Sequence, residues 1–447
     1  MPSQKETIKW VQTILAPRNL SQVETIVLDR ALSGKLYREI AKETGYDAGY
    51  IKDIGSHLWL ALSQKLNCNI NKRNIAFMLT QFSQGNTELY QRKTQPNTTI
   101  AEFDFPGRPL PATSPLYIER PPTETLAITT LHQTGSLMRL RAPQRMGKTS
   151  LIHRLFDIAH QQEMQTVLVN VQQAEPASLN DLEQFLQWIC WATSQQLNLE
   201  PKFDDYWFEG AGSKMSCTVY MQEYCLNAVD TPVVIAFDKV HTLFDYPDLA
   251  SQFFSMLRYW YEQARTPGNW QKLRLILAYS IELTLGIQPH QSPFNVGISL
   301  NLPPLTRPQI SELAQRYQLE QVGIETLDPL VALVGGHPYL LQLAFYWLRS
   351  GYLSLEQLLA EAPTAKGIYG EYLEQLWMIL AQDKQLEQAF YQVLSSSQPI
   401  PLDAETAHRL EGLGLVQLQG LMASPPCELY RNYFLSHYSE SKTCQNL

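Results

Sequence analysis

Apolar positions along the chain follow two rhythms. Up to about Leu79 they recur at helical spacing, broken only at "LSGK" and "TGYDAG", which predicts an all-helical opening domain over residues 1–80. Residues 80–100 then carry Gln, Asn, Thr and Ser in place of periodic apolar positions, and "FPGRPLPATSP" (105–115) adds four prolines. That composition predicts a linker over 81–115, stiffened by proline in its second half. Beyond it, short apolar runs alternate with helical ones. The strand-like runs are "SLMRLRA", "TVLVNVQ" (166–172), "PVVIAF" (232–237) and "LRLILAYS" (273–280). Between them lie "SLIHRLFDIAHQQ", "LEQFLQWICWATSQQL" and "ASQFFSMLRYWYEQAR", each with the apolar spacing of a helix. Such alternation predicts an α/β fold whose parallel sheet is covered by helices on both faces. From "TRPQISELAQRYQ" (306–318) onward the pattern is helical again, and near the C-terminus two helices precede a short hairpin candidate in "QLQGLMASPPCELYRNYF".

Composition changes this picture little. The 447 residues are 45% hydrophobic and 17% charged, as in a globular protein with a sizeable core. There is no apolar run of about 18 residues or more, and "MPSQKETIKW" lacks the layout of a secretion signal. A cytoplasmic location without membrane contact is therefore expected. The six cysteines are scattered and the nine histidines fall at no metal-ligand spacing, so both are expected to be packing or surface residues. Charge does divide the chain: residues 1–100 carry 13 Lys/Arg and 8 Asp/Glu, net +5, within an overall −8, leaving −13 for the rest. Only the opening hundred residues could meet a polyanion through bulk charge.

The run "LRAPQRMGKTSLIHRL" (139–154) carries the first chemistry. A loop between a buried strand and a helix holds phosphates with converging backbone N–H groups and the positive end of the helix. Its lysine reaches the outer phosphates and its Ser/Thr hydroxyl holds Mg²⁺. Gly147, Lys148 and Thr149 supply that second half, with Ala142, Pro143, Gln144, Arg145, Met146 and Ser150 completing the candidate nucleotide-binding loop. Alanine replaces the usual first glycine, which a strand end tolerates if φ stays negative there. A second carboxylate for Mg²⁺ is offered by Asp238, at the end of "PVVIAFD". In ATPases of this design the next residue is normally a glutamate that polarises the attacking water. Here it is Lys239, which cannot accept a proton while charged, so metal binding is kept and hydrolysis is in doubt.

Several stretches in one order, "SPLYIERPPTE", "LRAPQRMGKTSL", the strand ending in Asp238, "WQKLRLILAYSIE", "QSPFNVG", "GGHPYLLQLA", "GIYGEYLEQL" and "CELYRNYF", resemble the AAA-like ATPase domain of many cyanobacterial proteins. That family is related to the STAND signalling ATPases and to the origin-recognition type. The resemblance spans roughly residues 112–437 and implies a P-loop NTPase core (116–304), a helical lid (305–384) and a winged helix (385–440). It further implies that Ser280 reads the γ-phosphate with Glu282 beside it, that Pro338 in "GGHP" couples lid to nucleotide, and that Arg120 lies near adenine or ribose. Lys239 and His241 depart from the family's acidic pattern at those positions.

The opening domain carries a second device. Ala41, then Gly45 after three residues and Ile51 after five more, is the spacing of a helix-turn-helix. Ile51, Ile54, Leu58, Ala61 and Leu62 form the stripe to be buried, leaving Tyr50, Lys52, Asp53, Ser56 and His57 outward. Residues 19–66 resemble the helix-turn-helix found at the N-terminus of such ATPases, of the vWA-MoxR-associated type, and distantly the fourth region of sigma factors. Tyr50, Lys52, Ser56 and His57 are the candidate DNA contacts, but the face has few arginines, and domains of this shape also bind proteins. The expectation is an ATP- and Mg²⁺-binding regulatory switch with weak or absent hydrolysis. Its helix-turn-helix meets duplex DNA or a protein, and it forms a nucleotide-dependent homo-oligomer. Two other readings stay open: an active ATPase, with Lys239 or Glu282 as weak catalytic candidates, and an interaction scaffold with a vestigial pocket.

Overall fold

The computed structural model describes residues 4–15, 18, 20–33, 35, 37–66, 70, 72, 75, 104–208, 210–280, 292–319, 324–351 and 353–445. Contacts divide the chain into two compact units, residues 1–105 with 350–375, and residues 106–349 with 376–447. Residues 81–103 of the expected linker and the catalytic candidate Glu282 lie outside the described residues.

The first unit opens with helices α1 (Gln4–Leu15), α2 (Gln22–Leu32), α3 (Tyr37–Thr44) and α4 (Ala48–Leu66). Ser21 and Glu24 start α2 with a reciprocal capping box, which satisfies donors that a helix leaves open at its first turn. The chain turns between α3 and α4 at Gly45, whose φ of 75° would strain any side chain. Ile51, Leu58 and Leu62 are buried as their spacing requires, with Val11, Val27, Leu28 and Ile40. The close approach of α3 to α4 is made by a residue the spacing did not single out. A Cβ on Gly55 would lie 2.6 Å from the Tyr37 hydroxyl, and the Trp59 indole N–H donates to that same oxygen at 2.7 Å.

The second unit is built on five parallel strands: β1 (Leu137–Arg141), β2 (Gln165–Asn170), β3 (Val233–Asp238), β4 (Leu273–Tyr279) and β5 (Ile298–Asn301), in the order β2-β3-β4-β1-β5. Alternate residues of β3 feed opposite faces, as the two-residue period of a strand demands. Val233, Ile235 and Phe237 enter one core and Val234 and Ala236 the other. Helices α5 (Thr123–Leu131) and α6 (Lys148–Gln161) cover the second core, while α7 (Leu182–Gln196), α8 (Ser213–Val219) and α9 (Pro247–Gln263) cover the first. Trp260 of α9 is fully buried there with Tyr261 packed against the same core, while Tyr259 beside them is exposed. The edge strand β5 is an addition to the four strands expected. Its Ile298 and Leu300 face inward while Ser299 and Asn301 are exposed, and among the described residues it pairs only with β1.

A further segment differs from expectation. Residues 106–115, expected as the stiff end of a linker, are packed in the second unit: the Leu110 N–H donates to Ser150 Oγ at 2.9 Å. Proline removes backbone freedom, so such a stretch can lie against a core at low entropic cost. Residues 203–207 keep Asp204 and Asp205 exposed while their aromatic side chains anchor the segment. The Phe203 ring stacks on Tyr220 at 5.2 Å, and the Trp207 indole donates to Glu183 at 3.0 Å.

After the sheet come α10 (Arg307–Arg316), α11 (Asp328–Val334) and α12 (Pro338–Ser350). Residues 350–375, part of the first unit, hold α13 (Leu355–Glu361) and the start of α14 (Gly370–Leu380). The chain ends in α15 (Lys384–Ser395), α16 (Ala404–Leu413), α17 (Glu428–Gln445) and a three-stranded antiparallel sheet, β6 (Ile400–Pro401), β7 (Gln417–Gln419) and β8 (Met422–Ser424), in the order β6-β8-β7. The hairpin expected after the two helices is β7–β8. Among the described residues no helix is long and apolar enough to cross a membrane.

Candidate nucleotide site

The loop from β1 to α6 is shaped by two residues with positive φ, Arg145 at 59° and Gly147 at 96°. Gly147 caps α6 and has a second reason to be glycine: a Cβ there would lie 3.1 Å from the Arg120 guanidinium. Arg120, 3% exposed, reaches across to donate to the Met146 carbonyl at 2.8 Å and so braces the loop from outside. Its own position is fixed by Glu124, which accepts its backbone N–H and also the Tyr117 hydroxyl at 2.8 Å.

Lys148 starts α6 and turns back under the loop. Its ammonium donates to the Ala142 and Pro143 carbonyls at 2.6 and 2.8 Å and to Ser280 Oγ at 3.0 Å. Burial, with the charge of Lys239 adding to it and that of Asp238 opposing, pushes the amine down to about 7. An anion in the loop would restore its charge. One residue on, Thr149 Oγ1 donates to Asp238 Oδ2 at 2.7 Å. The other oxygen, Oδ1, accepts the Lys239 N–H at 2.8 Å. Lys239 itself adopts φ 61°, a conformation that costs a side-chain-bearing residue about 1 kcal/mol or more. His241 follows, and burial together with the charges of Lys148 and Lys239 pushes it down to about 4.

These groups open on a cavity of about 330 Å³, at the lower end of the roughly 300–1,000 Å³ of small-molecule sites. Arg145 to Ser150, Arg120, Asp238, Lys239 and Pro338 all line it. Ala142 and Pro143 stand behind it through the Lys148 contacts, as does Ser280, 1% exposed. Gln144 is half-buried in the loop and does not line the cavity. The oxygen pair of Thr149 and Asp238 suits Mg²⁺, a hard cation that takes one or two protein oxygens and keeps several waters. Among the lining residues that the sequence pattern did not single out are the Gly107–Leu110 strap, Tyr117, Tyr339 and Gln342. Tyr339 is held against the loop by the Arg145 guanidinium, 4.3 Å from its ring. The "GGHP" turn is equally constrained. A Cβ on Gly336 would lie 2.2 Å from the Leu305 carbonyl, and the Leu305 N–H donates back to Gly336 at 2.8 Å. His337 beside it is pushed down to about 4 by burial and by Arg145.

Comparison with known proteins gives this geometry a family. Residues 105–436 match the AAA-like domain. The chain belongs to that family. Residues 3–82 match the N-terminal helix-turn-helix of vWA-MoxR associated proteins. Among solved structures, the AAA-like chain is similar to the Walker-type ATPase of Pyrococcus abyssi, with 13% identity and a TM-score of 0.54 over 71% of this chain and 96% of that one. It is also similar to the Aeropyrum pernix ORC2 protein in its ADPNP–ADP complexes, with 14% identity and a TM-score of 0.41 over 77% and 99%. No curated protein matches the sequence.

Tyr50, Lys52, Ser56 and His57 share the exposed face of α4, together with Asp53. Tyr50 is 46% exposed and its ring lies 5.8 Å from that of Tyr46, also exposed. Among the described residues, no three His, Cys, Asp or Glu side chains form a group that could hold a metal.

Proposed function

We propose that the chain is a nucleotide-dependent regulatory switch that binds ATP with Mg²⁺ and turns it over slowly or not at all. The observation that carries this reading is the junction of Lys148, Thr149 and Asp238 at one cavity, directly followed by Lys239 where a proton-accepting glutamate would stand. In this reading Lys148 and the loop N–H groups hold the phosphates, and Thr149 and Asp238 hold Mg²⁺. Ser280 senses the γ-phosphate through Lys148, and Pro338 and Tyr339 report the bound state to α12. Slow turnover suits a switch because the liganded state then persists.

The reading extends to the ends of the chain. Residues 385–440 serve as a winged helix, supported by α15, α16 and the β6-β8-β7 sheet. Arg141, at the end of β1, forms an ion pair with Glu411 of α16, so this segment is positioned to follow the loop. The helix-turn-helix presents Tyr50, Lys52, Ser56 and His57 to duplex DNA or to a protein, and nucleotide state governs STAND-like self-association. The test is a melting curve with and without MgATP, run beside a phosphate-release assay. A raised midpoint with negligible release is expected. An unchanged midpoint would favour the scaffold reading, and rapid release the active ATPase.

A further inference from the structure

We infer that Lys239 is a second phosphate-binding cation, and that it lets this cavity hold a free nucleoside triphosphate nearly as well as the magnesium complex. The inference rests on the nucleotide reading above and deepens it. Five basic side chains line the cavity, Arg108, Arg120, Arg145, Lys148 and Lys239, against the single carboxylate of Asp238. With all five charged, the described lining carries net +4. A glutamate at position 239 would leave net +2, and the difference is the charge of one divalent ion. A metal-free triphosphate differs from its magnesium complex by that same charge. The substitution therefore moves the lining from one that suits the complex to one that suits the bare anion.

Geometry keeps Lys239 in place for this role. It leaves β3 directly after Asp238, its N–H is tied to Asp238 Oδ1 at 2.8 Å, and a 3₁₀ helix (Val240–Asp245) begins at the next residue. Its charge is close enough to help depress both Lys148 and His241. Among the described residues it forms no ion pair that would neutralise it. Asp238, the group that would attract a metal, already spends one oxygen on Thr149 and the other on the Lys239 N–H. The positive charge of Lys239, on the same cavity lining as Asp238, also opposes an incoming divalent ion.

The experiment is a calorimetric titration of the full chain with ATP, in excess Mg²⁺ and in EDTA, for the wild type, Lys239→Gln and Lys239→Glu. Wild-type affinities in the two buffers should agree within about threefold, whereas Lys239→Glu should bind at least about tenfold more weakly in EDTA. Lys239→Gln should fall between them, and it decides the matter if the glutamate variant does not fold. A wild type that loses about tenfold or more in EDTA would overturn the inference while leaving the nucleotide reading intact. So would variants with unchanged affinity in EDTA. A wild type that binds ATP in neither buffer would overturn both.

Discussion

Helix α6, at the end of the phosphate loop, and helix α4 both follow a glycine turn, Gly147 at φ 96° and Gly45 at φ 75°, yet they present chemistry in opposite ways. After Gly147 the side chains converge: Lys148, Thr149, Asp238 and Lys239 meet at one concave cavity, with Lys148 and Asp238 buried. After Gly45 they diverge, and Tyr50, Lys52, Asp53, Ser56 and His57 stand apart on a convex helix face with mixed charge. Convergence multiplies electrostatic effects because solvent is excluded, and it limits the ligands that fit. A solvated face screens its charges and leaves the partner's identity open.

That contrast predicts unequal mutational effects. The largest belongs to the loop: Lys148→Ala should weaken ATP binding by about two orders of magnitude, as expected for a lost charged hydrogen bond of about 3 kcal/mol. Equal binding by that variant in a calorimetric titration would break the comparison at its stronger side. Next is acid sensitivity, which belongs to the buried side alone. His337 is pushed down from 6.5 to about 4, so the folded state keeps it neutral while the unfolded chain takes a proton. Stability is thus present above pH 6.5 and lost as pH falls toward 4, by about 3 kcal/mol. His241, with the same shift, adds to the loss. Denaturant titrations at pH 7 and pH 4.5 read this directly, and His337→Gln should remove the His337 share of the difference and leave that of His241. Somewhat smaller is ligand stabilisation, about 2.7 kcal/mol for ATP at a hundred times its dissociation constant. The smallest effect should come from the helix face. Lys52→Glu should reduce duplex DNA binding by the full chain a fewfold and lower its salt dependence. A salt-independent interaction would point to a protein partner instead.

How much of this could be read from residues alone follows the same division. Strands β3 and β4 were legible because each is a mostly apolar run with every residue buried, and β1 because Leu137, Met138 and Leu140 are buried directly before the loop. Strand β5 was not, because an edge strand of four residues with Ser299 and Asn301 exposed has too short an alternation to stand out. The lysine, threonine and carboxylate of the site follow a spacing with a mechanism, so their positions could be named in advance. The strap at Gly107–Leu110 and the stacking of Tyr339 on Arg145 have no such spacing. They depend on tertiary packing of a proline-rich stretch and of a helix nearly two hundred residues beyond the loop. In the N-terminal unit the apolar stripe was legible, but the close helix approach resides at Gly55 against Tyr37, a glycine within a helix that local pattern alone would count as a weakness.

The central claim is that this cavity holds ATP and preserves it. The most direct measurement mixes the full chain in excess with γ-labelled ATP and Mg²⁺, retains the protein on a filter after a long incubation, and asks whether the label is bound and still part of the triphosphate. The account predicts retained, intact ATP in the wild type and none retained by Lys148→Ala. No retention by the wild type, or label released as free phosphate within seconds, would contradict it.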